Sequence, residues 1–154
     1  MELRVEDNTL LGIIPHLSKG WRITFDVFAS KYEWKSPGSS VIYMVEGNHN
    51  GSERTVALIS FTKLNVNHDS ATGLHIQMTS LEEGTKNFII STEVPELETW
   101  TTIEFSQSLV DGSYNLNLMY NGIGVMCTTG LRPEPYTYDY VQVWAGGQEG
   151  NLIR

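Results

Sequence analysis

Apolar and polar residues alternate with a period of two over much of the chain. Along residues 21–30 the odd positions are apolar and the even positions are mostly polar, and the same spacing recurs at 74–79, 114–120 and 141–145. Successive side chains of a β-strand point to opposite faces of a sheet, so this spacing is typical of strands with one face on the core. These four segments are therefore predicted to be half-buried strands.

A second group of segments is apolar at consecutive positions. Residues 41–45 and 56–61 are rich in β-branched and aromatic side chains, which favours central strands that are covered on both faces. Further strands are predicted at residues 10–14, 87–92, 101–106 and 123–128. No segment shows a convincing helical stripe, although residues 80–84 could form a single helical turn. The sequence therefore predicts about ten short strands.

Glycine-containing pairs and prolines separate the predicted strands. Asn121-Gly122 lies directly between two strands, and it favours a type I′ hairpin because Asn and Gly tolerate positive φ. Asp111-Gly112 predicts a second turn of this chemistry. The prolines all fall between predicted strands, at Pro15, Pro37, Pro95, Pro133 and Pro135. We predict one all-β domain over residues 1–154, an antiparallel two-sheet β-sandwich or jelly roll, with a closed barrel as the alternative.

The order of these segments resembles the laminin-G-like, concanavalin-A-like jelly-roll superfamily. Segments 10–12 and 20–27 precede a strand that begins at Trp100, a strand that ends in Asn121-Gly122, and a closing strand at 140–144. The resemblance covers roughly residues 10–146 and is a pattern of strands. Many laminin-G domains carry a cysteine pair near the C-terminus, whereas this chain has Cys127 alone, which favours the wider superfamily.

Acidic residues outnumber basic ones and narrow the choice of partners. The chain has 18 Asp and Glu against 10 Lys and Arg, for a net charge of −8, which argues against a nucleic-acid partner. No Lys or Arg lies between Lys86 and Arg132, so this stretch would repel sulfated polyanions. We expect a neutral glycan or a protein ligand. The apolar segments are too short to span a bilayer, so no membrane insertion is expected.

Two single features bear on the compartment. Cys127 is the only cysteine and lies in an apolar setting, which predicts a buried and inert thiol. Asn50-Gly51-Ser52 matches the acceptor pattern for N-glycosylation, while residues 1–7 are charged and lack the apolar core of a signal peptide. The glycosylation pattern and the resemblance predict an extracellular or cell-surface protein, taken as an excised domain, whereas the lack of a disulfide does not by itself assign a compartment.

No catalytic residues are predicted. The densest carboxylate cluster, Glu93, Glu96 and Glu98, is interrupted by Pro95, whereas glycan-cleaving relatives place alternating carboxylates on one strand. We interpret it as a solvated loop. The histidines show no metal-binding or catalytic spacing and are interpreted as surface or loop residues: His16, His49, His68 and His75.

The stretch 65–70 is a candidate calcium loop. Asn65, Asn67 and Asp69 offer oxygen atoms at alternate positions between two predicted strands, and calcium prefers six to eight oxygen ligands from a flexible loop. The resemblance supports this, because relatives bind calcium at sandwich edges. The alternatives are an ordinary polar turn or direct contact with the ligand. No other cofactor is predicted.

Aromatic residues near predicted loops are candidate ligand contacts. Trp34 follows the first long strand, and Tyr136 and Tyr138 follow a proline-rich turn. Sugar rings have apolar faces that stack on aromatic rings, and Asn67 could bind their hydroxyl groups. The alternative is that these rings cap the ends of the sandwich.

Three functions remain open at this point. The first is a non-enzymatic, lectin-like or adhesion domain that binds a glycan or a protein, with weak single-site affinity. The second is a structural or interaction domain that docks onto other domains or forms an oligomer with itself. The third is a glycan-cleaving enzyme, which the missing carboxylate motif disfavours.

Overall fold

The computed structural model describes the backbone of residues 3–4, 9–29, 39–47, 54–66, 69–79, 86–91, 93–128, 137–146 and 152–153, and the statements below concern these residues. Their strands are, in chain order, β1 (Leu3–Arg4), β2 (Thr9–Leu17), β3 (Trp21–Phe28), β4 (Ser39–Glu46), β5 (Arg54–Val66), β6 (Asp69–Thr79), β7 (Lys86–Ser91), β8 (Trp100–Val110), β9 (Ser113–Tyr120), β10 (Ile123–Thr128), β11 (Tyr138–Ala145) and β12 (Leu152–Ile153). The ten predicted strands are confirmed, most of them with longer bounds.

The strands form two antiparallel sheets that pack as a β-sandwich of the jelly-roll type. Sheet A has the order β1-β12-β3-β8-β9-β10, and sheet B has the order β2-β11-β4-β5-β6-β7. Each sheet ends in two edge strands, so the chain is a sandwich and the alternative of one closed barrel is wrong. Within the described ranges no helix is long and apolar enough to cross a membrane.

The core lies between the sheets and follows the period of two. Trp21, Phe25 and Val27 of β3 belong to the buried cluster, and the intervening Arg22 and Thr24 are exposed. In sheet B, Ser60 points away from the core between two core residues of β5, yet it is only 2% exposed. The prediction that this central strand is covered on both faces is confirmed at this position.

Both predicted hairpin turns have the backbone that a type I′ turn requires. Asp111 and Gly112 have φ of 50° and 76°, and Asn121 and Gly122 have φ of 50° and 79°. Positive φ at both central residues matches the right-handed twist of the flanking strands. Asn121 also ties the second turn to β8, because its Oδ1 accepts a hydrogen bond from the Thr102 amide at 2.9 Å.

Gly122→Ala is expected to lower the free energy of unfolding by about 1–2 kcal/mol, because an L-residue is strained at positive φ. A Cβ on Gly122 would meet no heavy atom within 4 Å, so the cost is conformational. Gly12→Ala in β2 is the control, since its Cβ also has open space and its φ is not positive. Urea unfolding should show Gly12→Ala unchanged or slightly more stable. Equal losses in both variants would contradict a type I′ turn.

The prediction that every proline falls between strands is wrong for Pro15. It lies inside β2 and not between strands. This position is permitted because β2 is an edge strand that pairs only with β11. Proline has no backbone N–H to donate, and an edge strand leaves one side of its ladder without a partner strand.

Candidate functional site

An open groove of about 770 Å³ crosses the outer face of sheet A. It runs over β3, β8, β9 and β10, which are consecutive neighbours in the sheet. Its lining residues come from Gly20–Arg22 and from residues 104–127, and all of them lie in the described ranges. The groove is therefore built on paired strands.

One row of side chains crosses all four strands at the centre of the groove. The row is Arg22 opposite Ser106, Ser106 opposite Asn117, and Asn117 opposite Cys127. Directly opposed residues of antiparallel strands have Cβ atoms about 4.5–5.5 Å apart, so these four side chains are neighbours. They point outwards because their strand neighbours, such as Phe105 and Leu118, belong to the core.

An ion pair borders the row. The Nε atom of Arg22 lies 3.2 Å from Oε1 of Glu104, and the side chains are 68% and 18% exposed. Arg22 is the one basic residue among those lining the groove, and Glu104 is the one acidic residue. The two charges compensate each other, so the groove has no net formal charge.

Buried polar atoms without hydrogen-bond partners lie around the groove. They are Trp21 Nε1 and Gln107 Oε1, and both residues line it, whereas the buried Oε1 of Glu104 lies 3.2 Å from Nε of Arg22. The Gln107 amide nitrogen does donate to the carbonyl of Lys19, at 2.5 Å. Unsatisfied buried polar groups are rare in native proteins. Trp21 and Gln107 share the core-facing parity of Phe105, so these two atoms lie on the inner side of the sheet and not among the outward side chains of the row.

The prediction of a buried Cys127 is wrong, because the thiol is exposed. Among the strands that the structure describes, β10 pairs only with β9, and its register shifts between Gly124 and Met126. This irregularity lets both Val125 and Met126 pack against the core. The alternation of inward and outward side chains along β10 is thereby displaced, and Cys127 points into the groove instead of the core.

The structure contradicts the prediction that Tyr138 contacts the ligand. It begins β11, is 4% exposed and belongs to the core cluster, so its ring is not accessible for stacking. This agrees with the alternative of a ring that closes the sandwich. Two residues further on, Tyr140 is 60% exposed, because its φ of 53° interrupts the alternation of β11.

The other predicted contacts lie outside the described residues. These are Trp34, Tyr136, Asn67 and the candidate glycosylation residue Asn50. Val66, which precedes Asn67, lies at the end of sheet B where β4 begins. Tyr138 lies at the opposite end, where β4 finishes.

Two of the three candidate calcium residues lie in strands. β5 continues to Val66 and β6 begins at Asp69, so Asn65 and Asp69 are strand residues with Asn65 opposite Ser70. The flexible loop that was expected over 65–70 is therefore reduced to a short connection. In the part of the chain that the structure describes, no group of three His, Cys, Asp or Glu could hold a metal ion. Calcium at Asn65, Asn67 and Asp69 stays a prediction.

The carboxylate cluster before β8 is a solvated loop, as predicted. Glu93, Glu96 and Glu98 are all exposed. The segment is attached to sheet A by the Glu98 amide, which donates to the Ala29 carbonyl at 2.7 Å. His16 is also a surface residue, and its Nδ1 lies 2.7 Å from the Asp139 carboxylate.

Sequence analysis did not identify the groove residues. Arg22, Ser106 and Asn117 occupy polar positions in alternating strands, so their outward direction was readable from the period of two. Their proximity was not readable, because it depends on the register between β3, β8 and β9. Regular pairing across the Asp111-Gly112 turn would have suggested one contact, Ser106 with Asn117. Regular pairing across the Asn121-Gly122 turn would have missed Cys127, because the register of β10 shifts between Gly124 and Met126.

Comparison with known proteins supports the fold. No protein-family model matches the chain, and no curated protein matches it by sequence. The endo-β-1,4-glucuronan lyase of the fungus Trichoderma reesei has a similar structure, with a TM-score of 0.55 and 8% identity over 90% of this chain and 68% of the lyase chain. The CBM40 module of the Ruminococcus gnavus IT-sialidase, bound to α2,3-sialyllactose, gives 0.49 and 9% over 99% and 89%. The likeness to the lyase shows a shared fold.

Proposed function

We propose that this chain is a non-enzymatic recognition module that binds a neutral glycan in the groove of sheet A. The observation that carries the proposal is the row from Arg22 to Cys127 across four strands. The groove volume of about 770 Å³ lies within the roughly 300–1,000 Å³ that is typical of small-molecule sites.

The polar groups of the groove suit a polyhydroxylated ligand. Asn117 offers an amide with two donors and one acceptor oxygen, and Met119 adds an apolar contact; both are partly exposed, whereas the Ser106 hydroxyl between them and Arg22 is largely buried at 8% exposure. All three side chains stand on strands of one sheet. Binding therefore orders few groups, which limits its entropic cost.

The charge balance favours a neutral ligand. Glu104 compensates Arg22, and the other lining residues are uncharged. The net charge of −8 and the absence of Lys and Arg over residues 87–131 provide no attraction for a polyanion.

The proposal excludes glycoside hydrolysis on chemical grounds. Hydrolysis by the common mechanism needs a pair of carboxyl groups on either side of the scissile bond. The lining of the groove offers one, Glu104, whose Oε1 is already 3.2 Å from Arg22. A single engaged carboxylate supports binding rather than cleavage.

The proposal also places the chain in the laminin-G-like, concanavalin-A-like superfamily and outside the cell or on its surface. The jelly-roll sandwich supports the former, and the Asn50-Gly51-Ser52 pattern favours the latter. A structural domain that docks onto other domains or onto itself is the competing function. That function requires a protein contact and no saccharide.

Asn117→Leu is expected to weaken glycan binding about tenfold or more, because it removes the amide hydrogen bonds at the centre of the row. The measurement is a glycan array with the isolated chain, followed by calorimetric titration of a retained neutral glycan. Ser113→Ala is the control, since Ser113 is exposed on the same strand and does not line the groove.

Two results would contradict the proposal. The first is the absence of any retained glycan, which would favour the docking domain. The second is tight binding to heparin that weakens steeply with salt, because such binding requires a basic surface that the groove lacks.

A further inference from the structure

The outer face of sheet A carries a second feature in line with the groove. Phe28 and Trp100 are register partners at the far ends of β3 and β8. Their ring centroids are 5.6 Å apart at an interplanar angle of 54°. Both side chains are partly exposed, and neither belongs to the core cluster. Packing between the sheets therefore does not explain this aromatic pair.

The aromatic pair and the groove lie on the same two strands. Arg22 opposite Ser106 marks the groove, and Phe28 opposite Trp100 lies six residues away on both strands. At about 3.3 Å per residue the separation is roughly 20 Å. This distance exceeds the size of one sugar ring and corresponds to a short oligosaccharide.

The surface between the two features is polar and continuous. Thr24 lies opposite Glu104, and Asp26 lies opposite Thr102. The Thr102 hydroxyl donates to Oδ1 of Asp26 at 2.5 Å, which fixes the direction of both side chains. Oxygen atoms along this path can accept hydrogen bonds from sugar hydroxyls.

We infer that the ligand is a linear oligosaccharide that runs along β3 and β8, with one end in the groove and a sugar ring stacked on Phe28 and Trp100. This inference rests on the proposed function and specifies its ligand class. Aromatic faces bind the apolar faces of sugar rings, and the polar path between the two features serves the intervening units. The aromatic pair then acts as a distal subsite.

The test is a length series of neutral linear oligosaccharides, from disaccharide to hexasaccharide. The probes are β-1,4-linked glucose, mannose and xylose series and a β-1,3-linked glucose series, titrated by calorimetry. We expect the affinity for at least one series to rise with length and then to level off. Trp100→Ala should weaken hexasaccharide binding about tenfold and leave disaccharide binding unchanged.

Two further variants keep the test interpretable. Trp100→Phe retains an aromatic face and should restore most of the affinity for the hexasaccharide. Phe28→Leu removes the second ring with little change in volume, and it replaces Trp100→Ala if that variant fails to fold in a thermal unfolding control. A loss in Phe28→Leu that is equal for disaccharide and hexasaccharide would overturn the distal subsite.

The outcomes separate the inference from the proposed function. If affinity does not change with length, and Asn117→Leu still weakens binding about tenfold or more, the distal subsite is wrong and the groove stands. If no series binds at millimolar concentration, the proposed function and the distal subsite both fail.

Discussion

Phe105→Ala is expected to lower the free energy of unfolding by about 3–5 kcal/mol, a large share of the stability of a small domain. Phe105 is 0% exposed at the middle of β8. Its ring meets Trp21 edge-on, with centroids 5.3 Å apart and an interplanar angle of 72°. Removing the ring loses its burial, leaves a cavity between the sheets and deletes this aromatic contact.

Urea unfolding followed by Trp fluorescence and by far-ultraviolet circular dichroism measures this loss. Leu109→Ala is the control on the same strand, since Leu109 is 59% exposed and its truncation should change stability by less than about 0.5 kcal/mol. A loss below about 1 kcal/mol in Phe105→Ala would show that the two sheets do not pack around this ring.

Gln107→Glu is expected to lower the free energy of unfolding by about 3–5 kcal/mol at pH 8, because the introduced carboxylate is an unpaired charge buried in the fold. At pH 4 the loss should be much smaller, because the carboxyl is then largely neutral. Gln107 is 2% exposed, and its amide nitrogen donates to the Lys19 carbonyl. Glutamate has nearly the same shape. As a neutral acid it can still donate to this carbonyl, whereas as a carboxylate it cannot.

The direction of the pH dependence follows from burial. Desolvation raises the pKa of the introduced carboxyl in the folded state above its value in the unfolded chain, which is about 4.3. The variant therefore resembles the parent below the unfolded value. Its stability falls as the pH rises towards the raised pKa of the folded state.

The free energies of unfolding of the parent and of Gln107→Glu are measured at a series of pH values, and the difference between the two free energies is plotted against pH. Gln107→Met is the matched control, because it removes the hydrogen bond without adding a charge, so its loss should not depend on pH. A loss in Gln107→Glu that is independent of pH would mean that this side chain reaches solvent in the folded state.

Local features of the fold were predictable from the sequence alone. The period of two gave the strands, and Asp111-Gly112 and Asn121-Gly122 gave two turns whose φ values are positive at both residues. Such features depend on interactions between residues close in the chain, which short-range sterics and side-chain direction control. The strands and the two tight turns are therefore largely a local consequence of residue order.

Departures from simple alternation were decided by neighbouring strands. The register shift in β10 exposes Cys127, and the positive φ of Tyr140 separates an exposed Tyr140 from a buried Tyr138. Pro15 is accommodated inside β2 because only β11 pairs with that strand. The exceptions in β2 and β11 depend on pairing with strands that are distant in sequence, and the shift in β10 lets both Val125 and Met126 pack against the core, so no local pattern records them.

In the regularly alternating strands the sequence by itself determined which residues face outwards, and the tertiary structure decided which of them meet. Arg22 and Ser106 each occupy a polar position of an alternating strand, which predicts an outward side chain. They are 84 residues apart and become neighbours only through the pairing of β3 with β8. Strand order and register are chosen by the packing of the whole core, because a slip of one residue would turn every apolar side chain outwards. For this reason the strands were predictable, whereas the groove and the aromatic pair at its far end required the assembled sheet.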